Sequence, residues 1–253
     1  MKISTSNKKH LLPTLLSFLC LLAVWGILAH CMHAPLILPT PAATARALAA
    51  YARRTDFWLA AGATLLRSIV AFCIATLLGT AVGALCGSSP WLRAFFAFPV
   101  ELVRAAPVVS FILIAVFWFT SGTVPIFVSV LAAFPIMTAA VTEGFSRKDE
   151  KLLEMAQVYR FTKRQQFRWI TLPALIPPFC TGAVSAFGLT WKATIAGEVL
   201  CLPRTGTGML MQTAQMHLET ADVAAITLVT AGLSFALERG TAFLLAGRIA
   251  RAG

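Results

Sequence analysis

The chemistry of a charged side chain is most constrained inside an apolar stretch, and the charged residues in such stretches of this sequence include Glu101, Arg104, Glu143 and Lys192. An ionised group is costly in hydrocarbon, so each of them needs an ionic partner or water. Glu101 and Arg104 are three residues apart and could pair on one helix face. These charges either line a path for a polar solute or form structural pairs, and the sequence leaves both interpretations open.

Another charged residue, Glu198, follows Lys192 by six positions. That offset does not place two side chains on one face of a helix, so a pair within the helix is not expected. Lys192 would then face the solute path or reach Glu101 or Glu143 on another helix. The histidines are scattered and no Asp/His cluster occurs, which argues against an enzyme.

The elements that must position these charges are membrane-spanning helices. The chain has 253 residues, of which 58% are hydrophobic and 12% are charged. A hydrocarbon core about 30 Å thick requires roughly 20 apolar residues in a helix. Six stretches meet that length, at residues 11–31, 61–86, 98–119, 124–145, 172–200 and 223–246. The predicted fold class is therefore all-α, a polytopic membrane protein with about six transmembrane helices.

The distribution of basic residues predicts that both termini face the cytoplasm. If the N-terminus is cytoplasmic, the cytoplasmic segments hold most of the 21 Lys and Arg residues. This agrees with the rule that basic residues in short loops stay on the cytoplasmic side of the membrane. This asymmetry and anionic lipid head groups explain the net charge of +11, so no nucleic-acid partner is needed. The first span follows Lys2, Lys8 and Lys9, but further spans come after it. We therefore expect an uncleaved helix and not a signal peptide.

Small residues and turn residues predict two local features outside the centre of the chain. Gly79, Gly83 and Gly87 recur every four residues, so a helix of the same subunit or of a second subunit can approach this face closely. Thr40 and Pro41 fit the N-cap and first position of a short helix on the outer face. The six cysteines show no metal-binding spacing and are best explained as small hydrophobic residues, so no metal site is predicted.

Residues 146–172 are too long for a turn and too polar to cross a membrane. Apolar residues recur there at helical spacing, at Leu152, Met155, Ala156 and Tyr159. Thr162 and Gln165 have the spacing of a capping box, which starts a second helix. We expect a helix–turn–helix on the cytoplasmic surface, with Leu172-Pro173 marking the return into the bilayer.

This central stretch resembles the EAA loop of bacterial ABC-importer permeases. The resemblance is carried by Glu154-Met155-Ala156, a turn position at Arg160 and the ending Ile170-x-Leu172-Pro173. Further similarities to permeases of the nitrate/sulfonate/taurine type are Ile37-Leu38-Pro39-Thr40-Pro41, Arg104-Ala105-Ala106-Pro107, and Trp191 with Glu198. Together they extend over about residues 35 to 240.

The resemblance implies a permease without catalysis of its own. In this family the short cytoplasmic helix couples the spans to an ATP-hydrolysing subunit, so the implied coupling residues are Glu154, Met155, Ala156, Arg160, Thr162, Ile170, Leu172 and Pro173. The implied partners are two ATPase subunits, which bind the ATP, a second permease subunit, and an extracytoplasmic substrate-binding protein in a bacterial inner membrane. This chain would hold no cofactor. Arg160 departs from the family pattern, which has glycine at this turn.

The predicted organisation has four parts: a cytoplasmic tail and first span at 1–34, an outer-face helix at 35–60, a permease core at 61–247 that includes the loop 146–172, and a cytoplasmic tail at 248–253. The translocation path is expected to draw on Glu101, Arg104, Glu143, Trp191, Lys192 and Glu198. A small anion such as sulfonate, taurine or nitrate is the expected substrate. A vitamin precursor on the same fold is an alternative, and a secondary transporter is a rival of another class, although it predicts internal repeats that are not found.

Overall fold

A computed structural model of the protein describes residues 7–34, 36–147 and 150–249, and these ranges are helical without any strand. The helices are α1 (Asn7–Met32), α2 (Pro41–Ala52), α3 (Thr55–Ser88), α4 (Pro90–Ala105), α5 (Val108–Ala115), α6 (Val124–Ser146), α7 (Glu150–Val158), α8 (Lys163–Gln166), α9 (Leu172–Cys201), α10 (Thr207–Met216) and α11 (Thr220–Ile249). The all-α prediction is confirmed. Helix α10 was not predicted. Lys2, Lys148 and positions 250–253 of the predicted C-terminal tail lie outside the described residues.

Helices α8 and α9 form one helical run. A π-helical turn at Phe167–Thr171 joins them, so Lys163–Cys201 is continuous over 39 residues. The second helix of the central loop and the fifth span, which were predicted as separate helices, are thus joined without a break at Pro173. The wider turn accounts for this, since the N–H of Leu172 bonds to the carbonyl of Phe167, five residues back, just before the proline that has no N–H to donate.

Within the described residues, five helical segments are long and apolar enough to cross a membrane: α1, α3, α6, the run Lys163–Cys201, and α11. Helices α4 and α5 meet at 90° and together make a sixth candidate. This pair covers the span predicted at 98–119, with a bend that the prediction did not include. Pro107 explains the break, because the residue before a proline favours extended backbone, and Ala106 has φ −71° and ψ 137°.

The described chain divides into two compact units, and the larger comprises residues 59–209 and 230–253. Its core lies where α6 packs along α9, with Ala133 and Met137 against Ala183 and Ala186. Helix α3 joins this core through its glycines. A Cβ on Gly79 would lie 2.5 Å from the Cβ of Met137, so only glycine lets the two helices approach so closely.

The glycine face of α3 is thus covered by α6 of the same chain. A Cβ on Gly83 would lie 2.7 Å from the Cβ of Val141, and one on Gly87 would overlap Phe145. The sequence predicted that a helix of the same subunit or of a second subunit packs on this face, and the helix of the same subunit is confirmed.

The smaller unit comprises residues 1–58 and 210–229. The predicted cap of α2 is confirmed, since the Thr40 hydroxyl accepts a hydrogen bond from the N–H of Ala43 at 3.2 Å and Pro41 opens the helix. The hydroxyl of Tyr51 donates to Asp222 at 3.1 Å. Burial, followed by the charge of Asp222, raises the pKa of Tyr51 to about 12.

Candidate functional site: the α4–α5 cavity and the central loop

The bend between α4 and α5 opens a cavity of about 560 Å³ against α6 and α9. Arg104 and Ala106 line it from the bend, Pro135 and Glu143 from α6, and Ser185 from α9. The cavity exists because the chain turns sharply before Pro107, so the two short helices do not fill the space beside α6 as one straight helix would. A broken span therefore exposes polar groups within a bundle of apolar helices.

Two charged side chains line this cavity, and they differ in their partners. The Glu143 carboxylate accepts a hydrogen bond at 2.7 Å from Arg147, one turn further along α6. Arg104 forms no ion pair with any residue of the described chain. The negative charge in the cavity is compensated and the positive charge is not.

A second cavity, of about 460 Å³, lies between α4 and α6 and shares Arg104 and Glu143 with the first. Glu101 and Arg93 also line it. Glu101 and Arg104 form no ion pair with each other in the described chain, so the pairing that their spacing allows does not occur in this structure. Arg93 donates to the Ser146 hydroxyl at 3.1 Å and so ties α4 to the end of α6.

Lys192 and Trp191 line neither cavity. The ammonium group of Lys192 lies 3.3 Å from a carboxylate oxygen of Glu238 on α11, so the predicted contact with Glu101 or Glu143 is wrong. Trp191 is 1% exposed, and its indole N–H donates to the carbonyl of Thr230 at 3.1 Å. Residue spacing could not predict Glu238 as the partner of Lys192, because the contact between them depends on how α9 and α11 pack.

Glu198 is fully buried and does not line either cavity. Its carboxylate accepts a hydrogen bond at 2.7 Å from Arg67 on α3 and one at 2.8 Å from the hydroxyl of Thr64. It also accepts from the N–H of Gly208, at 3.0 Å. The prediction of Glu198 as a path residue is therefore replaced by a buried ion pair between α9 and α3, which the sequence did not indicate.

The central loop, residues 146–172, contains α7 and a turn at Arg160. Arg160 has φ 51°, the left-handed conformation that favours glycine. Its N–H donates to the carbonyl of Gln157 at 3.0 Å, and the N–H of Phe161 donates to that of Ala156 at 2.8 Å. These two bonds form a Schellman motif, so the ordinary glycine turn is present with arginine in the glycine position.

Several large hydrophobic side chains are exposed on helix α7 and just after it: Leu152, Met155, Val158 and Tyr159. Glu154 on the same helix is exposed as well. Ala156, by contrast, is only 2% exposed, so this small residue packs within the chain and is not free for a partner. Of the opening Glu154-Met155-Ala156, the first two residues are accessible.

The start of the second helix of the central loop has the predicted capping box. The Thr162 hydroxyl accepts from the N–H of Gln165 at 3.4 Å, and the Gln165 carbonyl oxygen accepts from the N–H of Thr162 at 2.8 Å. Ile170 is buried and Leu172 is 40% exposed. The cap fixes the direction in which the run Lys163–Cys201 leaves the turn.

A helical membrane protein with a broken span, a charged cavity and an exposed helical loop has the features of a transport permease. The family model that matches is the binding-protein-dependent transport system inner membrane component, over residues 75–246. The chain belongs to this family of ABC-importer permeases. It is a multi-pass inner-membrane protein and not an enzyme.

Relatives and solved structures agree with this assignment. The taurine transport system permease protein TauC of Escherichia coli is 30% identical over 227 residues, covering 87% of this chain and 82% of that protein. The bicarbonate transport system permease protein CmpB of Synechococcus elongatus is 27% identical over 183 residues, covering 72% and 66%. The fold is similar to that of a chain in an inward-facing structure of the MetNI methionine ABC transporter, with TM-score 0.66, 13% identity, and coverage of 76% of this chain and 95% of that chain.

Proposed function

We propose that this chain forms the translocation path of an ATP-driven importer for a small oxyanion, with sulfonates such as taurine as the substrate class. Two copies of the chain would assemble with two ATPase subunits, which bind the ATP, and with an extracytoplasmic binding protein. The chain itself would hold no cofactor, and both of its termini would lie in the cytoplasm. The names of the relatives, taurine and bicarbonate permeases, support an anionic substrate.

The observation that carries the substrate proposal is the uncompensated charge of Arg104. Glu143 is held by Arg147 at 2.7 Å, which leaves Arg104 as the charged side chain without an ion pair among the described residues that line the cavity of about 560 Å³. A guanidinium group presents several N–H donors in one plane, which match the oxygen atoms of a sulfonate or another oxyanion. The Ser185 hydroxyl lines the same cavity and offers a further donor.

The central loop supplies the proposed contact with the ATPase. Glu154 and Met155 on α7 and Arg160 at its end are exposed, whereas Thr162 and Ile170 hold the loop in shape. Leu172 and Pro173 follow in the same helical run that continues along α6. A displacement of the loop by the ATPase would therefore act directly on a helix that lines the cavity.

Uptake of labelled taurine by cells that lack their own taurine permease tests this function. Cells that express the chain with the ATPase and binding protein of its host should take up taurine, and unlabelled aliphatic sulfonates should compete. We expect Arg104→Gln to raise the KM for taurine by roughly tenfold or more, because it removes a charged hydrogen-bond donor. Arg104→Lys, which keeps the charge, is the matched control and should lose less.

Two results would contradict the proposal. If the Arg104→Gln variant took up taurine at an unchanged KM, the Arg104 guanidinium would not contact the substrate in the translocation path. If no ATPase subunit purified with the wild-type chain in mild detergent, the importer assembly itself would be refuted.

A further inference from the structure

The end of α9 far from the central loop is fastened to α3 by a cluster of buried polar groups, here called the Glu198 latch: Thr64, Arg67, Glu198, Thr207 and Gly208. Thr64, Glu198 and Thr207 have no exposed surface. Arg67 bridges the cluster to the loop that follows α9, since one of its nitrogens donates to Glu198 at 2.7 Å and to the carbonyl of Thr205 at 2.6 Å. A charge pair removed from solvent needs this number of hydrogen bonds to be tolerated.

The latch also caps the N-terminus of α10. The first N–H groups of a helix have no partner within the helix. Here the N–H of Thr207 donates to the Thr64 hydroxyl at 2.9 Å, and that of Gly208 donates to Glu198 at 3.0 Å. The caps come from α3 and α9 and not from the preceding loop. The start of α10 is therefore fixed by α9, which precedes it, and by α3, which is 143 residues away in sequence.

Two glycines make room for the Glu198 carboxylate. A Cβ on Gly206 would lie 2.5 Å from a carboxylate oxygen of Glu198, and one on Gly208 would lie 2.6 Å from its Cβ. The loop 202–206 can thus lie directly on the buried carboxylate. This explains the two glycines in Arg204-Thr205-Gly206-Thr207-Gly208.

We propose that the Glu198 latch stays closed through the transport cycle and makes the loop 202–206 and the start of α10 move together with α9. Glu198 is then a positioning residue. The helical run that ends at the latch begins at the central loop, so the two loops are the two ends of one moving element. This inference rests on the proposed coupling function, because a latch of this kind matters only if α9 moves between two placements.

A disulfide across the latch tests whether it opens. The hydroxyl oxygens of Thr64 and Thr207 are 3.1 Å apart, close enough for Thr64→Cys with Thr207→Cys to form a bond after a small adjustment. The purified permease–ATPase complex is oxidised with copper phenanthroline, once without nucleotide and once trapped with ATP and vanadate. Mass spectrometry then measures the extent of the disulfide, with each single-cysteine variant as a control for the native thiols.

We expect the same extent of disulfide in both states. A several-fold lower extent in either state would show that the latch opens and would overturn the proposal, as would failure of the bond to form in both. The comparison needs the ATPase partner but not the transported substrate. If the substrate assignment failed, taurine uptake would be absent in the wild type while the disulfide result would still stand.

Substitutions within the latch test its role in transport. Glu198→Gln and Arg67→Gln should each lower uptake and the stimulation of ATP hydrolysis by the binding protein roughly tenfold, the scale of a coupling residue. The Thr64/Thr207 disulfide, introduced into the Glu198→Gln variant, should restore both. Ser129→Ala is the matched control, because it removes another buried hydroxyl contact of α9, to Thr194 at 2.8 Å. Failure of the disulfide to restore coupling in a variant that still assembles would overturn the positioning role.

Discussion

Arg160 makes a sharp test of the central loop, because its backbone and its side chain can be separated by mutation. The residue occupies the left-handed region at φ 51°, which costs a residue with a Cβ about 1 kcal/mol or more relative to glycine. Arg160→Ala keeps that cost and removes the guanidinium, whereas Arg160→Gly removes both. The difference between the two variants therefore measures the backbone, and their common effect measures the side chain.

We expect Arg160→Gly to be more stable than Arg160→Ala by about 1 kcal/mol, which corresponds to about 2–4 °C in Tm for a chain of this size. Thermal unfolding of the purified complex, followed by intrinsic fluorescence, measures this difference. If the turn is the whole function of the residue, Arg160→Gly should also transport at the wild-type rate.

Two outcomes bear on this reasoning in different ways. An Arg160→Gly variant less stable than Arg160→Ala would refute the Schellman geometry of the turn. Equal loss of transport in both variants, with the expected order of stability, would show instead that the guanidinium contacts the ATPase.

Three further predictions concern other parts of the chain. Glu154→Arg should abolish coupled transport while the complex still assembles, since the side chain is exposed on α7; normal uptake would count against a coupling role, and Glu154→Gln is the milder control. Gly83→Ala should destabilise the protein by about 1–3 kcal/mol, because its Cβ would lie 2.7 Å from that of Val141. Gly232→Ala on α11 is the control and should be tolerated, because no atom lies within 4 Å of the added Cβ. Thermal unfolding of the two variants measures the difference in stability. Tyr51 has a pKa raised to about 12 in the folded protein, so the stability that it contributes is present below about pH 10 and is lost between about pH 10 and 12. Absorbance titration at alkaline pH in a Tyr159→Phe background follows this phenol alone, and titration near its ordinary pKa would contradict the contact with Asp222.

Much of the helical architecture could be predicted, because its signals are local. Thr40 and Pro41 specify the start of α2, and Thr162 with Gln165 specifies the start of α8. Hydrophobic length located the spans at α3, α6 and α11 within a few residues. In each case the deciding interactions lie within a few residues of one another in the chain.

The errors have two origins. The break before Pro107 has a local signal in the proline itself, but hydrophobic length, which located this span, does not register a proline within it. The partner of Lys192 is Glu238, and that of Glu198 is Arg67, 131 residues away in sequence. Such pairs depend on helix packing, which a single sequence does not reveal. Of the proposed path residues, Arg104 and Glu143 line the larger cavity, while Trp191 and Glu198 are buried in the helix packing.

The length of the run Lys163–Cys201 has a consequence for where this protein meets water. At about 1.5 Å per residue the run is about 58 Å long, and a tilt of about 20° still leaves about 55 Å along the membrane normal. A bilayer with its head groups is only about 40–45 Å thick, so a run of this length exceeds it by roughly two to three helical turns. The basic residues Lys163, Arg164 and Arg168 all lie at the beginning of the run, which places the projecting turns there. A run of this length is long enough to hold the central loop beyond the lipid head groups, where a soluble protein could bind the loop without displacing lipid.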